Sequence, residues 1–555
     1  MVELFWLLQS SLKRRWTRVL LMAGISGVLN ASILMVLNAG SFAATRQTLS
    51  IRYLLLFMIC AAGFYTAKRY AITEGSRAAE EVLRDLLVRI ANKVRRSELP
   101  VVERIMEDGT YHSIAHDTTV VSQATLFLIN SAQQSIMLVV ALLYIAFISP
   151  VVFVIALVGV GLGVLLYHLH THLLLHEIGA QKQAETGMVR ALEHVFNGFK
   201  EVRLNARRSI RIREWLNSIG DDLYQTRIRT NTHYCTELMF ADVFFYLLLA
   251  AVVFIVPEYC RSSVPQTLMS VAAILFIIGP LQSIVSSGPV FMRASVAIEN
   301  FGKLERELDA ALKNFAGTAD VEPERPSFEN ITLSNVVYRY PRRTDDSGDP
   351  NDNFQVGPFS LDIQRGETLF LVGGNGCGKT TLLKVLTGLY QPTEGALLVD
   401  GQEVTPHTLS EYRNRFSAIF SDFHLFDRLY GYEDADPARV EKLLQRMAIA
   451  EKTSFHDGQF STLKLSTGQR KRLAMVTALL EERDILVFDE WAADQDPLFR
   501  AYFYETLLAA FKDQGKTVIA VTHDERYWNL ADRIVRLDYG KLADPSPRWL
   551  EEGRQ

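Results

Sequence analysis

The sequence predicts a multi-domain protein, with an all-α transmembrane domain of six helices followed by an α/β domain built around a phosphate-binding loop. Three observations carry that reading. Six apolar stretches precede residue 290, strands alternate with helices beyond about residue 328, and a G-x-x-x-x-G-K-T loop separates an apolar strand from a helix. The 555 residues exceed what one core organises, and 49% hydrophobic with 22% charged residues suits a membrane part joined to a water-facing part. A formal net charge of −4 supplies no global basic field for nucleic acid. Four cysteines, Cys60, Cys235, Cys260 and Cys377, show neither paired nor metal-like spacing.

The apolar stretches run over about 19–38, 53–72, 132–149, 151–172, 239–257 and 267–288. About 20 residues cross a bilayer core, so each is long enough or nearly so. The first has a basic flank and small residues after it, as a signal peptide does. Its apolar run is longer than a signal core, however, and five more follow, so an uncleaved helix is expected. Lys13, Arg14, Arg15 and Arg18 precede the first stretch, Lys68 and Arg69 border the second, and the outer loops hold only Arg46, Arg52 and Arg261. The positive-inside rule then places both termini in the cytoplasm.

The two long connections, about 70–131 and 173–238, repeat apolar residues at three and four and read as helices continuing inward. They are expected to turn near Gly109–Asp117 and Asn205–Ser209, where they can push on the following domain. Asp242 falls inside a span, where a charge costs roughly 2.5–3.5 kcal/mol on insertion scales. It is a cavity candidate, with a cargo or proton role and a buried structural bond as the two readings. His168, His172 and His176 share one helical face; they can hold a metal or line an interface or cavity. Gly159 and Gly163 form a GxxxG, a sign of close helix packing.

Residues 316–327 form a polar, proline-containing linker between residues 1–315 and the α/β domain, 328–555. In that domain, Gly373, Gly374, Asn375, Gly376, Cys377, Gly378, Lys379, Thr380 and Thr381 make the phosphate loop and the first helical turn. Glycines let main-chain N–H groups approach phosphate, Lys379 reaches the β and γ oxygens of ATP, and Thr380 can ligate Mg²⁺. The apolar run Ile485–Phe488 delivers Asp489 to that metal and Glu490 to an attacking water, and a second strand ends at His523, which can sense the γ-phosphate. Lys379, Glu490 and His523 are therefore the candidate catalytic groups. Cys377, at the start of the helix, is expected to be a reactive thiol open to maleimide.

A second phosphate-directed segment, Leu465, Ser466, Thr467, Gly468 and Gln469, opens another helix. One nucleotide needs only one such loop, so this segment points to another nucleotide. Together the motifs resemble the nucleotide-binding domain of ABC transporters, over roughly 328–545. That resemblance implies an ABC exporter fold with a helical subdomain, and a half-transporter whose signature, 465–469, closes on the ATP of a second identical chain. It also implies adenine stacking on Tyr340, a D-loop aspartate at Asp496, and a Q-loop position at Ser421 where glutamine is the rule.

The wording LSTGQRKRLA, FDEWAADQDPLFRAYFYE and GKTVIAVTHDERYW is similar to the cyclic-peptide exporters, such as the pyoverdine-precursor, syringomycin and microcin exporters. The resemblance implies ATP-driven export of a cyclic or non-ribosomal peptide to the periplasm by a homodimer in a bacterial inner membrane. ATP and Mg²⁺ would be its cofactors, and peptide cargo, bilayer and second copy its partners. Periplasmic and outer-membrane partners stay open. Lipid or multidrug export, and a siderophore importer on the exporter fold, are the alternatives.

Overall fold

The computed structural model describes residues 2–45, 51–107, 110–260, 264–313, 327–340 and 354–543. The expected linker falls outside them except for its last residue. The chain divides into two compact units, Met1–Asn92 with Asp108–Glu307, and Lys93–Glu107 with Leu308–Gln555.

The first unit is all helical. Its long helices are α1 (Val2–Thr45), α2 (Ile51–Arg96), α4 (Thr110–Ile148), α5 (Pro150–Asn197), α7 (Ala206–Ala250) and α9 (Val264–Lys313); α2 and α9 each run on into the second unit. A π-turn, Ala251–Ile255, leads from α7 into α8 (Val256–Cys260), and α3 (Leu99–Glu107) belongs to the second unit. All six apolar stretches lie on these helices. By length and composition, four segments among the described residues are able to cross a membrane: Arg15–Ala44, Ile51–Arg96, His116–Ile148 and Gln266–Leu312. A shorter apolar segment, Pro150–Leu162, opens α5.

Local chemistry sets the breaks. Ser149 caps α5 by accepting from the Val152 N–H, and Pro150 takes the first turn, where no N–H partner is needed. The second of the expected turns is a short helix, α6 (Phe199–Leu204), after which the Asn205 side chain caps α7 by accepting from the Arg208 N–H. The expected turn at 205–209 thus begins one short helix earlier. At the first inward turn, residues 108–109 lie outside the described ones.

The apolar core of this unit gathers Ile145, Val152, Phe245, Leu248, Ile274 and Ile277. Several polar side chains of this unit pair across helices: Asn130 donates to Ser283 at 2.8 Å, Ser131 to Ser287 at 3.0 Å, and the Gln282 amide to Asp242. In hydrocarbon such groups have no water to return to, so they fasten helices together. Of the two readings of Asp242, this bond is the structural one. Gly159 brings α5 against Leu248 and Phe244 of α7, while the surroundings of Gly163 and the side chains of His168, His172 and His176 lie outside what is described.

Two sheets organise the second unit. Its strands are β1 (Asn330–Arg339), β2 (Gln355–Gln364), β3 (Thr368–Gly373), β4 (Glu394–Val399), β5 (Gln402–Glu403) and β6 (Phe416–Ile419), then β7 (Phe455–His456), β8 (Gln459–Phe460), β9 (Ile485–Asp489), β10 (Thr517–Val521), β11 (Arg533–Asp538) and β12 (Lys541–Ala543). The larger sheet runs β12-β11-β3-β10-β9-β6, parallel except for β12, and an antiparallel sheet runs β2-β1-β4-β5. Its helices are α10 (Lys379–Leu386), α11 (Leu409–Arg413), α12 (Pro437–Arg446), α13 (Thr467–Leu480), α14 (Pro497–Ala501) and α15 (Leu508–Asp513). β9 and β10 are buried throughout and β3 over all but Gly373, as befits central parallel strands covered on both faces.

Helix α3 is the departure from the sequence boundary at residue 315. It packs within the second unit, with Leu99 against the apolar core there, Glu98 paired with Arg413, and Glu103 joined to Lys384 at 2.8 Å and to the Tyr390 hydroxyl at 2.7 Å. Those partners lie some 280 to 315 residues along the chain, beyond the reach of local periodicity.

In the first unit α1 and α4 meet at Gly27, where an added Cβ would stand 2.5 Å from the Gln133 main-chain oxygen. Backbone cannot rotate aside as a side chain can. Gly27→Val is expected to cost about 1–3 kcal/mol by overpacking, read as a lower Tm of the purified protein. Gly161→Val, at a site with nothing within 4 Å, is the control and is expected to leave Tm near that of the parent.

Candidate functional site

The glycine loop between β3 and α10 is shaped by backbone that only glycine adopts freely. Gly373, Gly376 and Gly378 have φ of 149°, 77° and 102°. An added Cβ at Gly373 would lie 2.3 Å from the Leu537 main-chain oxygen, so the loop is pressed against β11. Lys379 folds back over it, its ammonium donating to Gly373 O at 3.1 Å and Gly374 O at 2.9 Å. These carbonyls hold the cation where incoming phosphates would take over.

Next to this loop, β9 ends in Asp489, which is buried and accepts from the Thr380 hydroxyl at 2.9 Å and from the Ser421 N–H at 3.4 Å. Burial pushes the Asp489 carboxyl above its ordinary pKa, opposed by the hydrogen bonds from Thr380 and Ser421. A buried acid in that state, beside the second acid Glu490, is suited to a divalent cation. Glu490 itself sits at φ 50°, ψ 35°, and its Oε1 lies 3.0 Å from Nε2 of His523, which follows β10. The structure therefore brings Lys379, Thr380, Asp489, Glu490, Ser421 and His523 together. Ser421, at the position where the resemblance expects a Q-loop glutamine, touches Asp489 through its main-chain N–H.

Tyr340 follows directly after β1, with 36% of its surface exposed and its hydroxyl 2.7 Å from Thr381 Oγ1. Tyr338, Phe354 and Tyr390 surround its ring, and Tyr338 stacks on Tyr390 at 4.5 Å. Only Tyr340 is visible from sequence motif. Phe354 and Tyr390 come from separate segments, and nothing local marks them.

The segment 465–469 opens α13 with a capping box. Ser466 Oγ accepts from the Gln469 N–H, and the Gln469 side chain accepts from the Ser466 N–H at 3.1 Å. Among the described residues, no hydrogen bond or ion pair joins 465–469 to 373–381 of the same chain. Behind it, Gln495 donates to Gly468 O at 3.1 Å and Arg472 pairs with Asp496. The Phe499 N–H and that Arg472 guanidinium hold the Asp496 carboxyl below its ordinary pKa.

Fold and site together define a phosphate-loop ATPase of the ATP-binding cassette type fused to membrane helices. The ABC transporter family profile matches residues 356–493. ATP-binding protein SyrD of Pseudomonas syringae pv. syringae is 32% identical over 94% of this chain and 92% of its own length. The ATP-dependent lipid A-core flippase of Haemophilus ducreyi is 28% identical over 49% of this chain and 46% of its own length. A bacterial Atm1-family ABC exporter solved with ATP bound has the same fold, with a TM-score of 0.77, 19% identity, and coverage of 98% of this chain and 97% of that one. The chain belongs to the ABC transporter family and is related to SyrD over nearly its whole length. It is a membrane protein that binds ATP and couples its hydrolysis to transport.

Cys377 corrects one expectation. Its thiol is only 7% exposed and packs in the core with Leu382 and Leu537, so the loop offers phosphate its main chain and not its sulfur. Maleimide on the native protein is expected to label exposed Cys235 first and Cys377 only after denaturation, as peptide mapping by mass spectrometry would show. Cys377→Ser is expected to retain most of the ATPase rate.

Proposed function

We propose that this protein is a homodimeric half-transporter in a bacterial inner membrane, with both termini cytoplasmic, that exports a cyclic or non-ribosomal peptide, such as a siderophore precursor, lipopeptide or microcin, to the periplasm. The observation that carries the cargo class is similarity to SyrD over 94% of the chain, joined to the Trp491–Asp496 wording shared with cyclic-peptide exporters. The lipid A-core flippase matches only 49% of the chain, which favours peptide over lipid.

Two features of the site support the dimer. One chain holds one phosphate loop and one signature, and among the described residues the signature makes no hydrogen bond or ion pair to its own loop. Ser466 and Gly468 of one chain then complete the site around Lys379 of the other. Thr380 and Asp489 fit a magnesium ion, which supplies charge neutralisation across the β- and γ-phosphates when bound. Tyr340 stacks on adenine, Lys379 leaves Gly373 and Gly374 for the phosphates, and Glu490 accepts the proton of the attacking water. His523 orients Glu490 through their shared hydrogen bond and faces the γ-phosphate. ATP draws two chains together, and the inward turns move the helices only because the two states differ in ATP affinity.

Glu490→Gln keeps the metal ligands and loses the proton acceptor. ATP binding is expected to survive while turnover falls below about a tenth, in line with the usual 10²–10⁴ contribution of a general base. A variant that hydrolyses ATP at the parental rate would sink the assignment.

For cargo, the reconstituted ATPase is expected to rise with cyclic lipopeptide and to stay flat with lipid A. Stimulation by lipid alone would reassign the transporter to lipids.

A further inference from the structure

Lys471 carries the next inference. It stands on α13, five residues past the N-cap Ser466, and is only 4% exposed. An ammonium this deep must be matched by acceptors. It has two: the Glu490 main-chain oxygen at 2.7 Å and Asp494 Oδ2 at 2.7 Å. The contact is returned, because the indole of Trp491 donates to the Lys471 main-chain oxygen at 2.9 Å. Trp491 is buried and tilts against Phe503 at 4.7 Å, so its ring is fixed by packing.

The atom that Lys471 grips belongs to a residue in an unfavourable conformation. At φ 50° and ψ 35° Glu490 is left-handed, a region a glutamate occupies only when its surroundings hold it. That backbone directs the side chain toward His523. A peptide released to an ordinary conformation would swing the carboxylate off its line.

We propose that Lys471 is a positioning residue for ATP hydrolysis: its buried ammonium, with the Trp491 indole, locks the Glu490 main chain in the left-handed conformation that aims the carboxylate. The helix whose first turn serves the partner's nucleotide is thereby fastened to the base that serves this chain's own nucleotide. The proposal rests on Glu490 being that base.

The test compares Lys471→Met, Lys471→Arg and Glu490→Gln in the full-length reconstituted transporter. Lys471→Met keeps the stem and removes the charge. Its kcat is expected to fall roughly 10- to 100-fold, up to the lower end of the 10²–10⁴ range of general-base effects because the base is misaimed rather than removed, while KM for ATP changes less than about threefold and the ATP-loaded dimer accumulates as it does for Glu490→Gln. Lys471→Arg, which restores a buried cation, is expected to recover part of kcat. Trp491→Phe, which keeps the aromatic packing and loses only the indole donor, gives a milder fall in kcat with KM unchanged, and covers the case in which Lys471→Met does not fold. Parental kcat in both Lys471→Met and Trp491→Phe would overturn the proposal. So would a rise in KM with loss of the ATP-loaded dimer, because the lysine would then be serving the signature or the general fold. If Glu490→Gln itself turns over normally, the reading of Glu490 fails instead.

Discussion

Everything at the nucleotide site depends on three neighbouring parallel strands ending at one edge. β3, β10 and β9 hydrogen-bond side by side, with Leu371 opposite Val521 and Val521 opposite Asp489. The glycine loop, Asp489–Glu490 and His523 therefore emerge together although Asp489 lies 109 residues from Thr380 and His523 another 33 beyond Glu490. Burial on both faces leaves the register no freedom to slip, since a one-residue shift would turn Asp489 out of place. Thr380 to Asp489 then closes the gap between loop and strand with a single hydrogen bond.

Around that edge the chain adds restraints that tie functional segments to one another more than to the core. Gln495 to Gly468, Arg472 to Asp496, and Lys471 to both Glu490 and Asp494 bind the signature helix to the turn after β9. A displacement of either element must carry the other. In the first unit the same economy appears in different chemistry, where Asn130, Ser131, Ser283, Ser287, Gln282 and Asp242 meet between helices. There the low dielectric makes a short-range polar contact expensive to leave unmade.

What could be read from sequence follows how local the cause is. The phosphate loop, the Asp489–Glu490 strand end and the capping box at Ser466 are each complete within about ten residues, so spacing and residue type suffice. Helix α3 was hidden because its partners Arg413, Lys384 and Tyr390 are remote in sequence, and nothing in "LPVVERIME" distinguishes docking from continuing inward. Lys471 stands between Arg470 and Arg472 in the sequence, and only the fold shows that its charge is held by Glu490 O and Asp494. Cys377 misled for the converse reason. Its motif position was correct, but a side chain's direction off a loop is set by the core beneath it.

The position of α3 bears on where this chain can be divided. A fragment beginning at residue 328 would keep every nucleotide motif yet leave behind Glu98, Leu99 and Glu103. Arg413 and Lys384 would lose their acids, Tyr390 its acceptor, and part of the apolar core its cover. Lost ion pairs and a bared apolar surface favour self-association. The severed catalytic half would thus be a less stable, stickier molecule than the same residues are in the intact chain, because its true N-terminal border is a helix borrowed from far upstream.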